Sequence, residues 1–170
     1  MIIKNQHIKQ VLIKSGWYEN RAIDTSPYME WYKKYGFEIS DVVIDFLSSF
    51  GGLTLQIPCY RYQVRNKLSE NNADFDETII IEPEFYITPD FSNNDIKESI
   101  GYISDICSFF GMKKVFPIGH SKDFWDEYFL GINTELIAVH EGDAVCFGTT
   151  FEDSLTRIMT DEFIDMKCIW

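Results

Sequence analysis

The side chains that could act as nucleophiles or metal ligands are few and widely spaced in this sequence. The three histidines, His7, His120 and His140, lie far apart along the chain, so no local pair of metal ligands exists. His120 and His140 can still meet in space with Cys146 or an acid. Exposed or hydrogen-bonded histidines in turns and strands are the simpler interpretation, which we favour. Phosphate-loop, metalloprotease and serine-hydrolase motifs do not occur.

The four cysteines show no C-x-x-C spacing; they are Cys59, Cys107, Cys146 and Cys168. An even number allows two disulfides, but an N-terminus without an evident signal peptide favours free thiols. Arg61 lies two residues from Cys59, and no cation flanks Cys107 or Cys146 closely. We therefore expect small buried hydrophobic side chains and not thiolates. A small hydrolase with a dispersed Cys/His/Asp site stays open as a less favoured alternative.

Two acidic segments contain aromatic residues. Asp74, Asp76 and Glu77 follow the opening of a calcium loop only superficially, because the glycine at position six and the glutamate at position twelve are missing. We interpret them as a solvated acidic loop. The segment 123–128 mixes acids with Trp125 and Tyr128. It fits a strand with a solvated face, and it also fits a docking surface, since Trp and Tyr are enriched among binding hot spots.

The charge of the chain is strongly asymmetric. The 170 residues include 27 Asp/Glu and 15 Lys/Arg, a net charge of −12. Residues 1–67 carry a net +3 and residues 68–170 a net −15. This balance argues against binding nucleic acid or an anionic membrane through the overall field, and it favours cationic partners. Acidity that serves solubility alone is the simpler alternative.

Length and composition predict one globular domain over residues 1–170. Hydrophobic residues make up 45% of the chain and aromatic residues 16%, enough for a core without metal or disulfides. No run of about 18 apolar residues occurs, so we expect no membrane span. With no signal peptide evident, we expect a cytoplasmic protein.

The first fifty residues predict three helices. Apolar residues at helical spacing follow start signals at Ser26-Pro27 and Ser40-Asp41, with Ser26 as the expected cap of the second helix. Gly16, Gly36 and Gly51 are the expected stops, Gly51 in a left-handed cap.

The rest of the chain predicts mainly strands. Strands are expected at 53–57, 78–81, 115–118, 127–132, 136–140 and 144–147. A helix with Ile96, Ile100, Ile103 and Ile106 as its apolar ladder ends at Gly111. A last helix starts with a capping box from Thr149 to Glu152. Helices first, antiparallel strands later and a closing helix give an α+β fold with a mostly antiparallel sheet of short strands.

Four short motifs, in order, resemble a known family. Gly16-Trp17 with Arg21 is similar to a G-W-x-x-x-R signature, Phe50-Gly51-Gly52-Leu53 to F-G-G-L, Pro117-Ile118-Gly119 to a P-I-G turn, and 148–152 to G-x-S-F-E with Thr150 in place of Ser. Together they resemble the third subgroup of the SUKH superfamily of bacterial immunity proteins, from about residue 8 to residue 160. Residues 60–94 match nothing in that pattern.

The resemblance implies a protein that binds and neutralises a toxin, one that is not an enzyme and needs no cofactor or metal. Charge and resemblance together predict a basic toxin such as a nuclease as partner. The expected partner-binding residues are the acids and the one tryptophan of the two acidic segments: Asp74, Asp76, Glu77, Asp123, Trp125, Asp126 and Glu127. A regulatory adaptor, the role that eukaryotic relatives of the superfamily suggest, stays open.

Overall fold

A computed structural model describes residues 1–57, 84–88, 96–121, 126–140, 143–160 and 162–168. The expected strand at 78–81 therefore lies outside the described residues. The described helices are α1 (Gln6–Lys14), α2 (Ser26–Lys34), α3 (Asp41–Phe50), α4 (Ile96–Phe110) and α5 (Phe151–Thr160). Within the described part of the chain, no helix is long and apolar enough to cross a membrane.

Among the described residues, seven antiparallel strands form one sheet, in which each of these strands pairs with the next one along the chain. They are β1 (Thr54–Gln56), β2 (Glu84–Tyr86), β3 (Val115–Ser121), β4 (Asp126–Gly131), β5 (Leu136–His140), β6 (Asp143–Cys146) and β7 (Asp165–Cys168). The expected α+β architecture is confirmed, with N-terminal helices, an antiparallel sheet of short strands and a helix, α5, near the end.

Helices cover the sheet on both faces. One buried cluster joins α1, α2, α3 and α5 to strand residues that include Ile118, Tyr128 and Leu130. The second places Ile106 of α4 against Phe129 and neighbouring strand residues. Successive residues of β4 alternate between the clusters, as the two-residue period of a strand requires. The nearly continuous burial of β3 and β5 is what a sheet covered on both sides requires.

The helix starts follow the sequence in part. Ser40 caps α3 by accepting a hydrogen bond from the Val42 N–H, as expected. The expected cap by Ser26 is wrong: Thr25 precedes the helix without a side-chain cap. The Asp24 carboxylate instead accepts hydrogen bonds from both the N–H and the hydroxyl of Ser26. The Ser26 hydroxyl is therefore a donor to Asp24 and does not cap the helix.

The glycine pair after α3 divides two tasks. The left-handed residue is Gly52, with φ of 73°, and not Gly51 as the sequence suggested. Gly51 is needed for space, because a Cβ there would lie 2.6 Å from the Leu47 carbonyl oxygen and 2.8 Å from a ring carbon of Tyr28. Each glycine is therefore required, for a different physical reason.

The capping box of α5 lies one residue later than expected. The Thr150 hydroxyl accepts from the Asp153 N–H at 3.2 Å, and the Asp153 carboxylate accepts from the Thr149 N–H at 2.9 Å. Glu152 reaches across the molecule, where its carboxylate accepts from the backbone N–H groups of Lys4 and Asn5. Glu152 thus ties the start of the chain to α5.

Three further differences concern strands and burial. β2 and β7 were not expected, because strands of three and four residues are too short for their sequence pattern to identify them. Pro117-Ile118-Gly119 is not a turn but lies inside β3, where the register shifts between Pro117 and Gly119. Ile100, expected in the apolar ladder of α4, is 43% exposed, whereas Ile106 is buried.

Candidate partner-binding surface

Two of the seven expected partner-binding residues fall within the described part of the chain. Asp126 and Glu127 are the first two residues of β4. The other five lie outside the described residues: Asp74, Asp76, Glu77, Asp123 and Trp125. The structure therefore gives the geometry of the surface only around the start of β4.

The side chain of Asp126 is hydrogen-bonded to that of His140 on the neighbouring strand. The two residues are register partners in the β4–β5 ladder, and Asp126 Oδ1 lies 2.9 Å from His140 Nδ1. The Asp126 side chain is one third exposed and that of His140 one half. The Asp126 N–H donates to the Ser121 hydroxyl at 2.9 Å, which fixes the start of β4 against the end of β3.

The environment of Asp126 shifts the acidity of its carboxyl group. Partial burial raises the pKa of Asp126 above its ordinary value, and His140 and Ser121 oppose that shift by interacting with the ionised form. Burial is the larger effect. The position of the Asp126 side chain is fixed by its contact with His140.

Asp143 extends this pair across a third strand. It is exposed, and it is the register partner of His140 in the β5–β6 ladder. We call Asp126, His140 and Asp143 the polar row. His140 and Asp143 were not among the expected partner-binding residues. Their pairing could have been predicted from the two-residue connection 141–142, because so short a hairpin loop sets its flanking residues opposite each other.

Glu127 belongs to the opposite face of the sheet. Glu127 lies two positions before Phe129 in β4, so the two side chains share one face of the sheet. On that face Glu127 lies across from Val139 on β5 and from His120 on β3. His120 is buried, its Nδ1 lies 2.7 Å from the Ser121 carbonyl oxygen, and its ring stacks on Tyr86 at 5.4 Å. His120 and His140 therefore lie on different faces and do not converge, contrary to one of the options left open by the sequence.

The described thiols are poor nucleophiles. Burial raises the pKa of Cys107 above its usual value and that of Cys146 to about 11, with Glu135 adding to the shift at Cys146. A raised thiol pKa is the opposite of activation. Both cysteines are free, as the sequence suggested. Among the described residues, no group of three His, Cys, Asp or Glu side chains is arranged to hold a metal ion.

A groove of about 260 Å³ lies between the connection that follows α2, the helix α4 and the start of β3. Its lining is mainly apolar and includes Tyr35, Phe37 and Ile103. Its charged lining residues, Glu38 and Lys114, form an ion pair with each other. The groove thus offers contact area but no reactive group.

Residues of three of the four motifs that carry the family resemblance meet among the helices α3 and α5 and the segment that follows α1. The Trp17 ring stacks on Phe50 at 6.3 Å, and Phe151 contacts Phe50 at 4.9 Å. The Arg21 guanidinium donates to the carbonyl oxygens of Ser49 and Gly51 at 3.0 and 2.8 Å. We call Trp17, Arg21, Phe50, Gly51 and Phe151 the signature core.

Arg21 performs a task that sequence analysis did not assign. The last carbonyl groups of a helix lack partners within the helix, and a cation there also faces the negative end of the helix dipole. Arg21 satisfies carbonyls at the end of α3 and fixes the turn into β1. The signature core is therefore a structural frame, as expected from its residue types.

Comparison with known proteins agrees with this architecture. The family model of the SUKH-3 immunity protein matches residues 4–161. Neither the search of curated proteins nor that of solved structures finds a match. The family match covers most of the chain, and the chain belongs to the SUKH-3 immunity protein family.

Proposed function

We propose that this protein binds a cognate bacterial toxin in the cytoplasm and neutralises it by occlusion, without catalysis and without a cofactor. Membership of the SUKH-3 immunity protein family is the observation that carries this proposal. The family suggests immunity to a toxin. The identity of the toxin and the means of neutralisation are inferred from the charge and geometry of this chain.

The partner is a basic protein domain such as a nuclease. The net charge of −12, with −15 over residues 68–170, produces a negative field that speeds encounter with a cationic surface. A nuclease has such a surface because it must hold phosphates. An acidic protein seated there blocks the substrate by competing for the same cationic groups.

The binding surface is centred on the start of β4. The polar row offers two carboxylates on one sheet face. Glu127 belongs to the other face, where its Oε2 is buried and only the rest of the carboxylate could meet a partner. Arg or Lys side chains of the toxin pair with these carboxylates through charge-assisted hydrogen bonds. In this proposal Asp123 and Trp125 complete the surface, Trp125 as the apolar anchor, with Asp74, Asp76 and Glu77 adding to the field.

The position of Asp126 supports its role. Its side chain is held by His140 and is still one third exposed, so little conformational entropy is lost when a cation binds. A preorganised carboxylate of this kind contributes more to binding than a freely moving one. The raised thiol pKa values of Cys107 and Cys146 favour binding over covalent chemistry.

The experiment is co-expression with the toxin-like domain encoded beside this gene, where there is one. Cells that make the toxin survive when this protein is present, and the two proteins purify together. Death of the cells despite good expression of this protein, with no complex recovered, would refute the assigned function. Capture of several weak partners with no effect on survival would favour the adaptor alternative.

The surface is tested by a charge-reversal variant in the same assay. Asp123, Asp126 and Glu127 are changed together to Lys, and protection is expected to fall. The matched control changes Glu19, Glu30 and Asp45, three exposed acids of the helical half, to Lys. Both variants alter the net charge equally, so a loss confined to the first assigns binding to the start of β4.

A further inference from the structure

β7 is an edge strand of the sheet. It pairs with β6 on one side and is the last strand in the order of the described sheet. Alternate residues of an antiparallel edge strand direct their N–H and C=O groups away from the sheet. Such an edge is a template for pairing with another extended chain. In β7 the Met166 N–H donates to the Asp165 carboxylate at 2.9 Å, a bond that pairing along this edge replaces.

Large apolar side chains lie at this edge. Phe163, Ile164 and Met166 are 49%, 47% and 48% exposed. Three half-exposed apolar residues within four positions form a local patch, unlike single exposed residues scattered over a surface. Pairing along β7 would remove part of that area from water.

The charges of β7 are self-complementary. Asp165 and Lys167 flank Met166, share one face of the strand, and pair with each other at 2.9 Å. In an antiparallel pair centred on Met166, Asp165 lies opposite Lys167 of the second strand, and Lys167 opposite its Asp165. Opposite charges at directly facing positions stabilise a ladder, whereas like charges destabilise it.

We propose that β7 pairs antiparallel with β7 of a second copy of this chain, with Met166 on the two-fold axis. The contact is isologous, so both copies contribute the same residues. A ladder of this length buries less area than a standard stable interface, so the dimer exchanges with monomer. This inference does not depend on the toxin.

The first test is molar mass against protein concentration, measured by light scattering at about 0.15 M salt, where the Debye length is about 8 Å and long-range repulsion is screened. The mass rises from 19.9 kDa toward twice that value as concentration increases. Lys167→Asp weakens dimerisation about tenfold or more, because two facing pairs become like-charged. Asp165→Lys with Lys167→Asp restores it.

Lys113→Asp is the matched control, since Lys113 is exposed after α4 and the substitution changes the net charge equally. It leaves dimerisation within about twofold of the unaltered protein, because it lies away from β7. A monomer at all concentrations up to about 200 µM overturns the proposal. Equal weakening of dimerisation by Lys113→Asp and by Lys167→Asp also overturns the proposal.

A second test fixes the register by oxidation. Met166→Cys, combined with Cys168→Ser, forms an intermolecular disulfide under mild oxidant, because residues facing on a two-fold axis lie within disulfide reach. Ile13→Cys, on an α1 residue that is 52% exposed, does not. Equal crosslinking of both variants contradicts the register. If the protein is monomeric at every concentration and Lys167→Asp abolishes toxin binding, the β7 edge binds the toxin. That result also overturns the proposal.

Discussion

The signature core and the polar row differ in what holds their residues in place. The core residues Trp17, Phe50 and Phe151 are buried and contact one another across three separate segments. The polar row lies across three adjacent strands, with its side chains partly in water. The residues that mark the family thus build the frame, while the residues with the chemistry to bind a cation occupy the sheet end. In the proposed function, substitutions in the polar row would change partner binding without loss of the fold.

The largest expected effect is at Phe151. Phe151→Ala removes a buried ring that contacts Phe46 at 4.8 Å and Phe50 at 4.9 Å. We expect the free energy of unfolding to fall by about 3–5 kcal/mol, measured by urea denaturation. Phe109→Ala, at a ring that is 45% exposed, costs under about 1 kcal/mol. Similar losses for both would show that the core does not carry the stability.

Gly51 is required for space and not for a left-handed backbone conformation. Gly51→Ala places a Cβ 2.6 Å from the Leu47 carbonyl oxygen, and backbone at that position cannot move cheaply. We expect a loss of about 1–3 kcal/mol in unfolding free energy. Gly101→Ala is the matched control within α4, with nothing within 4 Å, and stabilises by about 0.5–1 kcal/mol. Equal signs for the two substitutions would contradict the packing around Gly51.

Arg21→Lys tests the cap at the end of α3. A lysine has a single donor nitrogen and no planar fork, so it cannot reproduce the two separate nitrogens with which Arg21 donates to the Ser49 and Gly51 carbonyls. We expect a loss of about 1–2 kcal/mol in a thermal or urea unfolding experiment, with the net charge unchanged. The control is the opposite exchange at another position, Lys33→Arg. It leaves the free energy of unfolding within about 0.5 kcal/mol of that of the unaltered protein.

Asp126→Asn has a small effect on stability, with a defined dependence on pH. Because the pKa of Asp126 is raised in the folded state, the folded protein binds its proton more tightly than the unfolded chain does. The stability contributed by this group therefore falls as the pH rises from about 4 through the folded pKa. Relative to Asp126→Asn, the unaltered protein loses stability over that range. A gain over the same range would mean that the bond to His140 outweighs burial.

The sequence predicts most of the helices and strands well, because the signals that mark them are local in the chain. Helix starts, glycine stops and strand alternation depend on neighbouring residues, so α1, α3 and β3 to β6 follow from them. The short strands β2 and β7 depend on pairing with distant strands, which no local pattern records. The capping box of α5 was misplaced by one residue, because Glu152 instead binds the backbone near Lys4.

The candidate site was predicted less completely. Asp126 and Glu127 follow from an acidic segment at a strand start, but their separation onto two faces depends on the register of β4. His140 joins Asp126 only through the β4–β5 pairing, and Asp143 joins through the next one. Charge composition therefore indicates what kind of partner fits, whereas sheet register decides which carboxylates act together.

The most direct test measures the rate at which toxin and this protein associate, as salt is raised from about 0.05 to about 0.5 M. We predict that changing Asp123, Asp126 and Glu127 to Lys lowers the rate at least tenfold at low salt and flattens its salt dependence. The control variant with Glu19, Glu30 and Asp45 changed to Lys loses much less. Equal rates for the two variants, or an unchanged rate for the first, would contradict a toxin-binding surface at the start of β4.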